Sequence, residues 1–257
     1  MTTPITSKDN PRVKQAHLLM KHARNRREER RFVLEGLRLI RDALERGARL
    51  EYVLYEPKQV DYDLIAQLQE RKVSLHPISE EILRHLSDTQ QPQGMIAVAP
   101  IPMPPLPKMP RAALVLDAVR DPGNLGTILR SAAAAACDVV LLSPDCADPY
   151  NPKALRGGMG AHFRLPIVEA DWGEMAGYLD GVAVYLADGR AERAYTDADF
   201  RQRWALVIGN EAHGARSAAR LKPVPIAIPM AADSESLNAA AACAVILFEA
   251  ARQRRLS

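Results

Sequence analysis

Short, continuous apolar runs alternate along the chain with amphipathic stretches of helical period. In the first hundred residues, Asn10–Arg31 reads as a helix with an apolar patch at Leu18, Leu19 and Met20. Strand-like runs follow at Arg31–Leu34, Tyr52–Tyr55, Val73–His76 and Gly94–Ala99, separated by helical patterns at Glu35–Arg46, Asp61–Gln69 and Ser79–Leu86. That alternation predicts a small α/β domain over residues 1–100. Residues 101–111, IPMPPLPKMPR, carry too much proline for a helix or a central strand. They read as a semi-rigid extended linker and a domain boundary.

From residue 112 the alternation resumes and continues to 257. Strands are expected at Ala113–Val119, Asp138–Ser143, Leu165–Glu169, Val182–Ala187, Trp204–Ile208 and Ile226–Pro229. Helices are expected at Asn124–Ala136, Pro152–Leu155, Met175–Leu179 and Ser236–Arg255. Apolar strands joined by helical crossovers predict a parallel sheet covered on both faces.

Three polar turns, each after an apolar strand, stand out: Asp121–Arg130, Gly209–Gly214 and the stretch from Met230 to Asn238. Strand-end turns are where ligands bind in an open α/β sheet. In the first, Asn124 is a candidate helix cap. Arg130 follows six residues on, close to two turns, so that both can face one side. A well-capped structural helix with a surface arginine accounts for this turn equally well. In the second, Glu211 suits holding an arginine or a hydroxyl, or capping the next short helix. His213 is a candidate base or a solvated side chain. In the third, Ser236, Leu237 and Asn238 open an apolar helix, and Ser or Asn there caps orphan backbone N–H groups.

Composition narrows the class. A hydrophobic share of 47% and a charged share of 25% over 257 residues are those of a globular protein with a substantial core. The net charge of +3 says little, but its distribution matters more. Lys14, Lys21, Arg24, Arg26, Arg27, Arg30 and Arg31 cluster in one helical stretch. They form either a solvated face or a phosphate-contacting surface. No apolar run is long enough to cross a bilayer, and the first residues lack a signal-peptide core. Three scattered cysteines without a CxxC spacing predict reduced thiols in a cytoplasmic protein. The histidines show no metal-ligand spacing, so no metal is expected.

The three turns, in this order and spacing, resemble the SpoU family of RNA ribose 2′-O-methyltransferases, within the SPOUT superfamily. The first matches through Asn124, Gly126 and Arg130, and the second through Gly209, Asn210, Glu211 and Gly214. The third matches through Ile228, Pro229, Met230, Ser236, Leu237 and Asn238. MGAHFRLPI, Met159 to Ile167, is similar to the family's intervening segment. ITSKDNPRVK and RRFVLEGLRLI are similar to the substrate-binding domain that often precedes it.

The resemblance implies a parallel-sheet catalytic domain with a deep trefoil knot, preceded by a smaller α/β RNA-binding domain. It implies S-adenosylmethionine as cofactor, bent into the knotted loops. Gly209, Ile228 and Leu237 would contact it, Leu186 and Ala187 would line the adenine side, and Met230 would lie nearby. Arg130 would bind a phosphate and stabilise the developing alkoxide, with Glu211 orienting it. Asn124, Ser236 and Asn238 would hold the nucleotide and the loops. The substrate is expected to be ribosomal RNA ahead of transfer RNA. Lys21, Arg24, Arg26, Arg27 and Arg30 are then read as RNA contacts, and a homodimer through the catalytic domain is expected.

The chain departs from the family pattern at Ala212, Ala231-Ala232 and Gly157-Gly158, where loop geometry is at stake. Two other readings are a nicotinamide-dependent oxidoreductase and a catalytically silent RNA-binding relative. DPGNLGTIL lacks the dinucleotide glycine spacing that the first requires. The intact polar residues argue against the second.

Overall fold

The computed structural model describes residues 3–209, 216–231 and 236–256, except for the side chains of 216 and 217. Two compact units form: Met1–Pro102 with Tyr150–Arg156, and Met103–Pro149 with Gly157–Ser257.

In the first unit the expected single helix over Asn10–Arg31 is two, α1 (Pro11–Lys21) and α2 (Ala23–Glu29). The helix breaks at His22, whose backbone is extended (φ −121°, ψ 119°). Asn10 caps α1 by accepting from the backbone N–H of Arg12. Strands β1 (Arg31–Glu35), β2 (Tyr52–Tyr55), β3 (Ser74–Pro77) and β4 (Met95–Pro100) form a mixed sheet in the order β1-β4-β2-β3. Its β2–β3 pair is parallel and its other pairs antiparallel. Helices α3 (Leu37–Glu45), α4 (Tyr62–Glu70) and α5 (Glu80–Leu86) complete the unit. Val13, Ala16, Leu19 and Met20 of α1 pack with Ile82, Leu83 and Leu86 of α5 over Val33, Leu54, Ile96 and Val98 of the sheet. Segment 150–156 joins this unit because Tyr150 sets its ring 5.0 Å from Phe32 and Arg156 pairs with Glu35 and Asp88.

The second unit begins with the proline-rich stretch, which is tied down. Tyr178 donates its hydroxyl to the Pro107 carbonyl at 2.7 Å, and Arg203 Nε donates to that of Pro110 at 3.2 Å. Six strands follow: β5 (Ala112–Leu116), β6 (Val139–Leu142), β7 (Ile167–Glu169), β8 (Ala183–Ala187), β9 (Trp204–Ile208) and β10 (Val224–Ile226). All their pairings are parallel, in the order β10-β8-β9-β5-β6-β7. Parallel strands send their carboxyl ends to one edge of the sheet. The order reverses between β5 and β9, which makes that edge a topological switch point.

Strand alternation divides the core. Ala112, Leu114 and Leu116 face one layer with α6 (Pro122–Ala134) and α9 (Ala239–Arg255). Ala113, Val115, Val139, Leu141, Ala205 and Val207 face the other, with Met175 of α8 (Trp172–Tyr178) and Ala218. Trp204, fully buried, meets Phe200 edge-on at 5.3 Å, and Phe200 meets Tyr185 at 5.2 Å. The remaining helix, α7 (Pro152–Gly158), ends against the start of α6. Among the described residues no helix is long and apolar enough to cross a membrane.

Candidate active site at the carboxyl edge of the parallel sheet

The turn after β5 leads into α6, whose N-cap is Asp121 rather than Asn124. The Asp121 carboxylate accepts the backbone N–H of Asn124 at 2.8 Å, and Pro122 occupies the first helical position, where its missing N–H costs nothing. This leaves the Asn124 side chain free of the capping role. Six residues amount to 1.7 turns, so Arg130 sits about 120° round α6 from Asn124. Asn124 is half-buried and Arg130 exposed.

The end of β9 lies beside this turn, with Asp117 N–H donating to the Ile208 carbonyl at 2.9 Å. Gly209 follows, half-buried. Asn210, Glu211, Ala212, His213 and Gly214 lie outside the described residues.

The third turn reaches α9, which begins at Ala239 and not at Ser236. Asn238 is its N-cap: Oδ1 accepts from Ala240 N–H at 2.9 Å and Ala241 N–H at 3.3 Å. The other end of the same amide donates to Asn124 Oδ1 at 3.1 Å. One side chain thus starts the closing helix and joins two turns that are 114 residues apart. Ser236 and Leu237 are exposed immediately before it.

A cavity of about 380 Å³ opens between the loops after β8 and β10. Gly189, Ala191, Glu192 and Ala194 line one side, and Ala227, Ile228, Pro229, Met230 and Ala231 the other. The two loops are laced together. Asp188 N–H donates to Ile226 O at 2.9 Å, Ala227 N–H to Arg193 O at 2.8 Å, and Tyr195 N–H to Ala227 O at 2.8 Å. Ile228 and Met230, expected at the cofactor, are wall residues. Leu186 and Ala187 are the last two residues of β8, just ahead of the lining loop. Gly189, Ala191 and Glu192 were missed by sequence reasoning. Their only signal was a glycine in a polar loop after a strand.

Gly157 and Gly158 have a physical reason. A Cβ on Gly157 would lie 3.3 Å from the Gly126 Cα of α6. A Cβ on Gly158 would lie 2.5 Å from the His162 ring. His162 is buried, which pushes its pKa down to about 4, and its neutral ring donates to the Pro149 carbonyl at 2.7 Å. Its ring therefore occupies the space that a side chain at 158 would need. Among the described residues no three His, Cys, Asp or Glu side chains gather as a metal site.

In the first unit, Lys21, Arg24, Arg27 and Arg30 are exposed. Arg26, expected to face RNA, is 2% exposed. Its guanidinium turns inward and donates to the carbonyls of Leu19 and Met20, the orphan acceptors at the end of α1.

Residues 111–248 match the SpoU rRNA methylase family, and residues 10–97 match the MRM3-like substrate binding domain. The zebrafish mitochondrial rRNA methyltransferase 3A is 35% identical over 89% of this chain and 65% of its own length, so the chain spans about two thirds of that relative. The Bacillus subtilis 23S rRNA (guanosine(2553)-2′-O)-methyltransferase is 32% identical over 95% of this chain and 97% of its own. Among solved structures, the SpoU methyltransferase AviRb from Streptomyces viridochromogenes in complex with AdoMet superposes with a TM-score of 0.85. It is 30% identical, covering 96% of this chain and 98% of that one. With more than half its length matched and its first and third turns joined by a hydrogen bond, the chain belongs to the SpoU rRNA methylase family.

Proposed function

We propose that this protein transfers the methyl group of S-adenosylmethionine to a ribose 2′-hydroxyl of RNA, with ribosomal RNA as the substrate. The observation that carries the reading is the Asn238–Asn124 hydrogen bond, which draws the first and third turns together beside the end of β9. The relatives named as rRNA methyltransferases support the choice of RNA.

The cavity fits an adenosyl group in chemistry: small and apolar walls from Ala227, Ile228, Pro229 and Met230, with one carboxylate at its rim. When bound, S-adenosylmethionine supplies an already activated methyl group, so positioning the hydroxyl contributes much of the rate. Arg130, exposed on α6, binds the phosphate next to the target ribose. Its fixed positive charge offsets the negative charge that grows on the 2′-oxygen as the proton passes to water and the donor leaves as the neutral thioether. Asn124 and Asn238 hold the turns on either side, Ser236 contacts the nucleotide, and Glu211 orients Arg130. Gly209 and Leu237 border the cofactor. The family implies a deep trefoil knot in the catalytic domain. Lys21, Arg24, Arg27 and Arg30 contact RNA phosphates from the first unit.

The protein acts as a homodimer. Val245 and Phe248, 40% and 48% exposed on α9, form part of the contact, while the opposite face of that helix packs inside the unit. All three cysteines are free, which supports a reducing, cytoplasmic setting.

Incubation of the purified protein with methyl-labelled S-adenosylmethionine and total RNA tests the activity. Label is expected in ribosomal RNA, at one nucleotide whose 3′ linkage becomes resistant to alkali. Label in a base, or no binding of the donor by calorimetry, would overturn the reading. Phe248→Asp is expected to shift the sedimenting species to a monomer.

A further inference from the structure

Nine of the described residues line the cavity between the β8 and β10 loops, and Glu192 is the only ionisable one among them. Among the described residues its carboxylate has no hydrogen-bond or ion-pair partner. The neighbouring cation does not neutralise it. Arg193 lays its guanidinium over the Tyr185 ring at 5.8 Å and donates to the Asp197 carbonyl. The loop carrying Glu192 is held in register with the opposite wall by the Ala194–Ala227 bridge, so the carboxylate sits on a fixed rim.

A carboxylate only accepts hydrogen bonds. The cofactor carries donors at its ribose hydroxyls, its adenine amino group and its ammonium. The amino-acid end also carries a carboxylate, which needs a cation or several N–H donors, and among the described residues no cationic side chain lines this cavity. The small apolar walls suit a flat purine. The two oxygens of one carboxylate match two adjacent ribose hydroxyls, the arrangement used in other nucleoside sites. We propose that Glu192 is a cofactor-recognition residue that accepts hydrogen bonds from the ribose hydroxyls of the adenosyl group. The proposal rests on the methyltransferase reading above and assigns to this pocket the nucleoside end of the cofactor.

Calorimetric titration of the full chain with S-adenosylmethionine, S-adenosylhomocysteine and 5′-methylthioadenosine separates the possibilities. The third ligand keeps the nucleoside and lacks the amino acid. Glu192→Ala is expected to weaken all three by a common factor of about five- to tenfold, with Glu192→Gln intermediate. The 2′,3′-dideoxy form of methylthioadenosine is expected to bind wild type and Glu192→Ala alike. Glu192 is exposed, so folding should persist, checked by near-UV circular dichroism. Wild-type affinities retained in Glu192→Ala would overturn the assignment while leaving the methyltransferase reading intact. Weakening confined to the two amino-acid-bearing ligands would do the same, placing the carboxylate at the ammonium. A wild-type protein that binds none of the three removes both readings.

Discussion

The paired helices of the first unit and the carboxyl edge of the second unit's sheet both carry arginine, and they use it in opposite ways. In α1–α2, the densest basic stretch of the chain, Arg26 is turned inward to satisfy the last carbonyls of a helix that breaks at His22. On α6, Arg130 is left exposed while smaller polar groups, Asp121 and the Asn124–Asn238 pair, do the structural tying at the start of the helix. Local charge density is therefore a poor guide to which cation is left at the surface. A basic run needs some of its charges for its own ends, whereas a solitary arginine beside well-satisfied turns is available for binding.

The largest effect that tests this contrast is on chemistry. Arg130→Ala should lower the methyl-transfer rate by about 10² to 10³ with donor affinity unchanged, because an exposed residue is removed without opening the core. A loss of donor binding in step with rate would make Arg130 a structural arginine and erase the contrast. Next is stability against pH, which asks whether the second unit also buries an ionisable group for packing. His162 has its pKa pushed down to about 4, so the folded protein keeps it neutral. As pH falls from about 6.5 towards 4, the unfolded chain takes up a proton that the native chain refuses. Stability should therefore drop, on the order of 3 kcal/mol at the low end. Denaturant titrations of wild type and His162→Gln should show the slope in the former and a flatter line in the latter.

Arg26→Ala comes third. Leaving the Leu19 and Met20 carbonyls without this donor should cost about 2 kcal/mol in urea unfolding and leave the salt slope of RNA binding unchanged. Smallest is the exposed pair: Arg24→Ala with Arg27→Ala should leave stability within about 0.5 kcal/mol and weaken RNA binding about tenfold. The salt slope should fall by about 1.5 in the same variant. Stability loss in this pair together with an altered salt slope in Arg26→Ala would reverse the assignments.

Much of the fold was legible in the sequence because parallel strands buried on both faces are continuous apolar runs. Those at Trp204–Ile208 and Val182–Ala187 fall within a residue of β9 and β8. The convergence of the first and third turns was legible from their place at strand ends and from the resemblance, while no local pattern says that residue 124 meets residue 238. Details set by side-chain direction were not readable. The helical period over Asn10–Arg31 does not show the break at His22, and a charge run does not show which arginine turns inward. Asp121 and Asn124 are equally good caps by type, and the proline at 122 settles it by fixing where the helix begins. The 189–194 loop has no motif, because its contribution to the cavity comes from backbone laced to a strand far along the chain.

The amide of Asn238 has one further consequence. Aspartate, its nearest isostere, would keep the helix cap but lose the donor, so the link would persist only if Asn124 turned its amide to present its NH2. Serine would keep a cap and fall short of the neighbouring turn. The exchange closest in shape is thus neutral to the helix and costs the site a rearrangement. A substitution at this position is therefore felt at the end of the helix and in the neighbouring turn together.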